Sequence, residues 1–333
     1  MVQQTRGLLY PSGFVRKTIM IRREFIKMMA LFGFCSSVKA GTASLIPEVP
    51  EKAELSDNAI LFLGTGAGEG IPSFYCDCNI CRQARKLGGK NLRTRTAFQI
   101  GETIRIDWGP DGAAQSWKHN LEAGKLKHLF FTHSHEDHFY TGDFWVRRAS
   151  QIPGNTVLNV YGNKEVFGMI DSAINGKWDK HLMRFTELAP GKKVILEDNG
   201  FEVTALHANH TAPENSLMFH FKMGGKEVLF TGDTGEFMHS AWEYLKGCRL
   251  DLILADTTWC FDRVGGSHLG FYETAGYLKK MRSMGIAHDK TKVYTVHMAH
   301  CKGAKMHSEL ERLLPELGLT PGYDGLIVDV TKL

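Results

Sequence analysis

The sequence predicts an α/β fold in which two sheets are sandwiched between helices. Three observations lead there. A length of 333 with 43% hydrophobic and 23% charged residues suits one large globular domain or two small ones. The first long strands come with few helices while the later ones alternate with them, an order that a single doubly wound sheet would not give. Side chains able to bind metal recur just past the ends of apolar runs, where loops can gather around one cleft.

The folded body starts after Pro50 and the charged stretch Glu51 to Asp57. NAILFLGTG is a buried-strand run ending in glycines, and TIRIDWGPD a second strand ending in a tight turn. KHLFFTHSH is a third, whose apolar run stops where histidines begin. Further strands are LNVYG, FEVTALHANH, SLMFHFKM paired through Gly224-Gly225 with EVLFTGD, LDLILADTT and KVYTVHMAH. Helical patterns cover 112–123, 163–175, 236–246, 268–284 and 303–314. The chain shows no low-complexity segment, heptad pattern or repeat of fixed period.

The net charge of +4 belongs to the N-terminus. Residues 1–40 hold seven Lys/Arg and one acid, Glu24, which leaves 33 basic and 35 acidic residues, a net −2, beyond Ala40. The remainder offers nucleic acid no global attraction. IRREFIKMMALFGFCSSVKA carries a twin arginine (Arg22, Arg23), a short apolar run from Met28 to Phe34 and a small-residue cleavage site at Val38-Lys39-Ala40. This resembles a twin-arginine export signal, with Ile21 where Ser or Thr is usual; an amphipathic first helix is the other reading. The apolar run is far below the ~20 residues of a membrane span. The expectations are a signal region over 1–40, with 1–19 an upstream mis-start before Met20, a linker over 41–57 and one domain over 58–333. The exported chain would reside in the periplasm, or in the cytoplasm were the signal silent.

FFTHSHEDHFYTGD, Phe130 to Asp143, packs three histidines and two carboxylates into six residues at the mouth of the third strand. Other strand ends offer His210 in HANHTAP, Asp233 in FTGDTG and His297 in YTVHMAH. Imidazole and carboxylate together suit Zn, Mn or Fe, and seven such ligands are too many for one ion. Two ions sharing one carboxylate fit the count.

The pattern HxHxDH, then His, then GD after an apolar strand, then a late His, resembles the metallo-β-lactamase superfamily from about Asn58 to the C-terminus. The resemblance implies a four-layer αββα sandwich. It also implies one metal on His133, His135 and His210, a second on Asp137, His138 and His297, and Asp233 as the bridge. His207 is the alternative to His210. Glu136 matches no ligand position and is expected in solvent.

LGTGAGEGIPSFYCDCNICRQAR holds three thiols within six residues, Cys76, Cys78 and Cys81. CxCxxC is compatible with a redox motif, a disulfide pair or, given a fourth ligand, a tetrahedral zinc. His300 is one candidate for the fourth place and Cys301 competes with it. The arrangement resembles the subgroup of the carbon–phosphorus lyase accessory phosphodiesterase and the B protein of pyrroloquinoline quinone biosynthesis. In that phosphodiesterase the same cysteines and the last His of an HxxH pair form a structural zinc site. The glycines of GTGAGEG lack the spacing of a nucleotide-binding loop, and in this family they pack the first strand–loop against the metal cleft. Cys248 and Cys260 read as buried thiols, and His119, His128, His181, His220, His239, His288 and His307 as structural residues.

GGSHLGF places His268 at the head of a helix, where it matches the histidine assisting phosphate binding and leaving-group departure in phosphodiesterase-like members. The resemblance therefore implies a hydrolase of small or cyclic phosphodiesters acting through two active-site metals, with His268, Asp137 and Asp233 as catalytic residues. Another ester or lactone hydrolase is the alternative, and a cofactor-pathway carrier the reading from a different class. Partners are a small-molecule ester and the export machinery, with no nucleic acid and no membrane span. A homodimer is compatible with the sequence.

Overall fold

The structure, a computed structural model, describes residues 55–333. The expected signal region and all but the last three residues of the expected linker lie outside the described residues. The first sheet holds β1 (Ala59–Gly64), β2 (Ala97–Ile100), β3 (Ile104–Ile106), β4 (His128–Phe130), β5 (Leu158–Gly162), β6 (Met183–Glu187) and, from the far C-terminus, β14 (Ile327–Asp329). Its order is β14-β1-β2-β3-β4-β5-β6. The second holds β7 (Lys193–Leu196), β8 (Phe201–His207), β9 (Leu217–Met223), β10 (Lys226–Phe230), β11 (Leu250–Asp256), β12 (Ala287–Val296) and β13 (Thr320–Pro321). Its order is β13-β12-β11-β10-β9-β8-β7.

Side-chain alternation turns these strands into layers, because successive residues face opposite sides of a sheet. Phe62, Phe98 and Phe130 from the first sheet meet Phe219, Phe221 and Phe230 from the second in one central core. Their neighbours point outward. Leu129 and Phe131 pack against Val166 and Ile170 of α4 (Lys164–Ile174). Leu229 and Ile253 pack against Leu245 of α5 (His239–Leu245) and against Phe271 and Leu278 of α6 (Phe271–Ser283). Helix, sheet, sheet, helix is the expected four-layer sandwich. Each fully buried Phe or Leu contributes about 1.5–3 kcal/mol relative to exposure.

The shorter elements were not anticipated: β2, β6, β7, β13 and β14, and the helices α1 (Asn79–Leu87) and α3 (Phe144–Ala149). Expected helices shorten to α2 (Gly112–Lys118), 164–174, 239–245, 271–283 and α7 (His307–Leu313). The hairpin read at Gly224-Gly225 is present, with Met223 opposite Lys226 and φ of 58° and 73° at the two glycines. Two positive φ values match the right-handed strand twist that two-residue hairpins require.

One feature of the topology positions the site. β3 to β6 run parallel, as do β10 to β13. Parallel strands deliver their C-terminal loops to a common edge, and the loops after β3, β4, β8, β10, β11 and β12 bring the polar residues there, β8 running parallel to β10 through two antiparallel pairings.

Candidate metal centre

The HSHEDH segment leaves β4 as a tight turn, with the His138 and Phe139 amides donating to the His135 carbonyl. Glu214 braces it, accepting from the Ser134 amide at 2.8 Å, the Ser134 hydroxyl at 2.7 Å and Asn163 Nδ2 at 2.6 Å. Gly109 allows this loop to lie against the turn after β3, since a Cβ there would stand 1.9 Å from the Asp137 carbonyl oxygen. Gly68, within GTGAGEG, lies against the cleft as expected: its Cβ position is 3.3 Å from Asp137 Oδ2.

Seven predicted residues converge in two groups, and Asp233 divides its carboxylate between them. Oδ2 lies 3.9 Å from His133 Nε2 and 3.7 Å from His210 Nε2, while His210 Nε2 is 3.0 Å from His135 Nδ1. Oδ1 lies 3.2 Å from His138 Nε2 and 3.3 Å from His297 Nε2. Asp137 Oδ2 is 3.3 Å from each of those two nitrogens. His133, His135 and His210 thus form one set of metal-competent atoms, and Asp137, His138, Asp233 and His297 another. His210 is among them and His207 is not. Glu136 is exposed, as expected.

Electrostatics say what the groups require. His133 Nε2 and Asp233 Oδ1 are buried without a hydrogen-bond partner. Burial, then repulsion from His138, holds the His133 imidazole well below its ordinary range, so its lone pair is free. Burial works against charge on His138 and His297 as well, but the carboxylates outweigh it. Asp233, Asp137 and Asp107 raise His138 well above its ordinary value, and Asp233 and Asp137 raise His297 to about 9. A pocket of buried carboxylates and imidazole lone pairs that pulls protons this hard is complementary to cations, and its donor set fits Zn or Mn.

Two residues missed in the sequence orient the ring. Asp107, after β3, accepts from His138 Nδ1 at 2.7 Å and from the Thr132 hydroxyl at 2.9 Å. Asp256, at the end of β11 and fully buried, accepts from the amides of Thr258 and Thr234, both at 2.9 Å, and from Thr258 Oγ1 at 2.6 Å. Thr258 Oγ1 in turn takes the Nδ1 proton of His297 at 2.8 Å. The Ser267 carbonyl does the same for His210 at 3.1 Å, which turns Nε2 toward the cleft as an acceptor. Such outer partners fix tautomer and ring orientation. Asp107 and His297 adopt φ of 62° and 56°, unusual for non-glycine residues and held in place by these bonds.

His268 requires a correction. It is not in a helix head: α6 begins at Phe271 behind Gly270, and His268 sits in the preceding bend, pinned by buried Leu269. Its anchor is Asp256, whose Oδ2 accepts from Nδ1 at 2.8 Å. The ring stacks 5.5 Å from His297 and meets His210 at 4.7 Å between centroids, so it stands over both groups. Burial lowers its proton affinity, yet the Asp256 hydrogen bond and charge raise it overall.

Cys76, Cys78, Cys81 and His300 form a separate cluster, with Cys78 Sγ 3.5 Å from His300 Nδ1. The Cys78, Cys81 and Ser73 amides donate to the three sulfurs at 3.3–3.4 Å. Burial pushes Cys81 up to about 12, while in Cys78 it is outweighed by bonds from the Cys81 amide and His300, which bring that thiol down to about 6. Three clustered sulfurs can all ionise only beside a cation. All six described cysteines are free. Cys301 lies outside the cluster, its thiol donating to the Trp259 carbonyl at 3.4 Å, while His300 lies within it. His220 was read as merely structural; it lies near Glu227 and Cys248 on the outer side of the second sheet.

Comparison with known proteins matches a family model, the beta-lactamase superfamily domain, over residues 102–298. Ribonuclease Z of Prochlorococcus marinus (strain AS9601) is 28% identical over 160 residues, 46% of either chain. The chain thus spans about half the length of the curated relatives it matches. A diphosphatase from the PhnP family superposes with a TM-score of 0.65 at 20% identity, over 81% of this chain and 96% of that one. Zinc-bound PqqB from Methylobacterium extorquens gives 0.60 at 15% identity, over 81% and 99%. With the matched domain, the sandwich and the convergent loops in agreement, the chain belongs to the metallo-β-lactamase superfamily and has the fold of its PhnP- and PqqB-like branch.

Proposed function

We propose that this metallo-hydrolase cleaves small phosphodiesters, including cyclic ones, at a dinuclear centre bridged by Asp233. His133, His135, His210 and Asp233 Oδ2 would hold one divalent ion, and Asp137, His138, His297 and Asp233 Oδ1 the other, as Zn or Mn. Such a pair, when bound, ionises a water at neutral pH and withdraws charge from a phosphoryl oxygen. The protein's part is positioning and proton delivery. Asp107 and Asp256 hold two of the imidazoles with Nε2 toward the cleft. Asp137 and Asp233 complete the carboxylate set.

The observation that carries the phosphodiester reading is the His268–Asp256 pair at 2.8 Å. It engages Nδ1 and leaves Nε2 without a protein partner among the described residues, over the cleft. There His268 holds a proton for the departing ester oxygen and contacts the phosphoryl group. The similarity to a ribonuclease and to a diphosphatase, whose chemistry is at phosphorus, supports this reading. The acid excess beyond Ala40 favours a small diester over RNA. The cluster of Cys76, Cys78, Cys81 and His300 would take one structural zinc, and Arg22-Arg23 would direct export. No described helix is long and apolar enough to cross a membrane. Assay of metal-replete protein against bis-p-nitrophenyl phosphate, cyclic phosphates, nitrocefin and lactones tests the reading. Diester turnover is expected, and turnover of lactone or nitrocefin alone would overturn it.

A further inference from the structure

The segment between β1 and α1 runs from the metal cleft to the thiolate cluster. At one end Gly68 lies beside Asp137, close enough that a Cβ there would stand 3.3 Å from Oδ2. Glu69 Oε1 lies 3.3 Å from His300 Nε2, and at the other end Cys76, Cys78 and Cys81 surround the same histidine. Between these anchors the chain presents Phe74 and Tyr75, 65% and 95% exposed, the latter the most exposed of the large apolar side chains described. Their ring centroids are 4.6 Å apart and their planes are tilted by 60°, so a flat group stacked on one ring meets the other at an angle. The Arg95 guanidinium lies 5.5 Å over Phe74 and is itself fixed, by Nε donating to the Gly68 carbonyl at 3.0 Å and by an ion pair with Asp111 at 2.9 Å. Contacts therefore link Phe74 to Arg95 and Arg95 to Gly68, and Gly68 neighbours Asp137, a candidate metal ligand.

Two aromatic rings in water forgo the stabilisation that burial would give them. Here they sit on a tip tethered at both ends and are stiffened by a cation that is already paired. Such a surface loses little freedom on binding a flat ring, and stacking is its main offering. With the Arg95 charge paired by Asp111 and the rings offering mainly their faces, it would select for a π-face, not for one base over another.

Resting on the phosphodiesterase reading, we infer that Phe74 and Tyr75 form a stacking platform for a planar aromatic group carried by the substrate, a nucleobase or an aryl ring esterified to the phosphate. The scissile ester lies at the metal centre while the ring is held at the rim.

The test compares kcat/KM of the metal-replete protein for adenosine 2′,3′-cyclic phosphate and for propane-1,2-diol cyclic phosphate, which has the same reacting ring and no base. Phenyl methyl phosphate against dimethyl phosphate gives the aryl arm. A platform predicts a preference for the ring-bearing member of a pair, carried in KM. Phe74→Ala/Tyr75→Ala should cut that preference about 10- to 100-fold, the range expected from stacking energies. Tyr75→Phe should keep it and Tyr75→Leu should not. A preference confined to one pair identifies the ring as nucleobase or aryl. If the double variant slows both members of a pair equally, or neither, the platform is overturned. Should no diester be turned over, the phosphodiesterase reading has failed, and equilibrium dialysis decides the platform separately. Tighter binding of AMP than of ribose 5-phosphate, lost in the double variant, supports it; equal binding overturns it. Self-association that the double variant abolishes, without any ring preference, would assign the two rings to a protein interface instead.

Discussion

Asp256→Asn tests the proton-delivery arm of the mechanism. Asp256 accepts four hydrogen bonds at full burial: the Thr258 amide and hydroxyl on Oδ1, the Thr234 amide and His268 Nδ1 on Oδ2. Asparagine replaces one acceptor oxygen by an NH2 donor. If the nitrogen takes the Oδ2 place, the Thr234 amide is left facing a donor, and His268 must turn its Nδ1 lone pair toward it. If it takes the Oδ1 place, the Thr258 amide is orphaned. Either way a buried donor goes unpaired, at about 1–3 kcal/mol. For a domain of this size each kcal/mol lowers Tm by about 2–4 °C, so a fall of roughly 2–12 °C is expected. In either arrangement His268 loses the carboxylate charge that favours its proton, and in the first it loses the acceptor as well. Its raised pKa keeps the imidazolium present to higher pH, so activity that needs the acid falls as pH rises through that value. The variant's falling limb should move to lower pH, and kcat should drop about 10- to 100-fold, below the full range for removing a proton donor. Because the comparison is between wild type and variant with the same metals bound, the direction holds whatever the ions add. Stopped assays across pH, with a Tm for each protein, read both effects. A variant with unchanged kcat and an unmoved falling limb would refute the role given to the pair.

Further outcomes follow from the same geometry. His268→Ala should retain its metal content and lose about 10²–10⁴-fold in kcat on an alkyl diester, but less on a p-nitrophenyl ester, whose leaving group needs little protonation; equal activity on every diester would remove the non-metal support for the assignment. Cys78→Ser should lower Tm and release about one zinc per chain, read by elemental analysis, because metal binding is coupled to folding; unchanged zinc and Tm would reject the structural site. Arg22→Lys with Arg23→Lys should leave the chain in the cytoplasm by fractionation, and undiminished export would reject the twin-arginine signal.

What was legible in the sequence was what depends on local pattern. HxHxDH announces itself because the ligands are close in the chain, and His210, Asp233 and His297 follow long apolar runs that can only be buried strands. Asp107 and Asp256 stood in similar positions, inside IRIDWG and ILADTT, but a single carboxylate past a strand has no neighbour in sequence to mark it, and only Asp233 had a place in the superfamily-like pattern. Their partners, His138 and His268, are 31 and 12 residues away. Glu214, bound to Ser134 across 80 residues, was hidden for the same reason. The choices between His207 and His210, and between His300 and Cys301, turned on where each side chain points, and spacing alone does not fix direction. The missed α1 is a mostly polar stretch capped by a cysteine, Cys78, whose sulfur accepts from the Cys81 amide. Edge strands such as β13 and β14 are too short to show alternation.

In the proposed mechanism one carboxylate, Asp233, would join two metal sites into a centre for diester hydrolysis. Asp233→Asn keeps shape and removes the charge that both oxygens share, so metal stoichiometry and bis-p-nitrophenyl phosphate turnover measured on the same purified samples test it most directly. Wild-type protein should carry about three ions per chain and show turnover that a chelator removes and Zn or Mn restores. Asp233→Asn should retain the thiolate zinc, lose the cleft ions and turn over at least about 10³-fold more slowly. An Asp233→Asn protein that holds its full metal complement and cleaves the diester at the wild-type rate would contradict the mechanism.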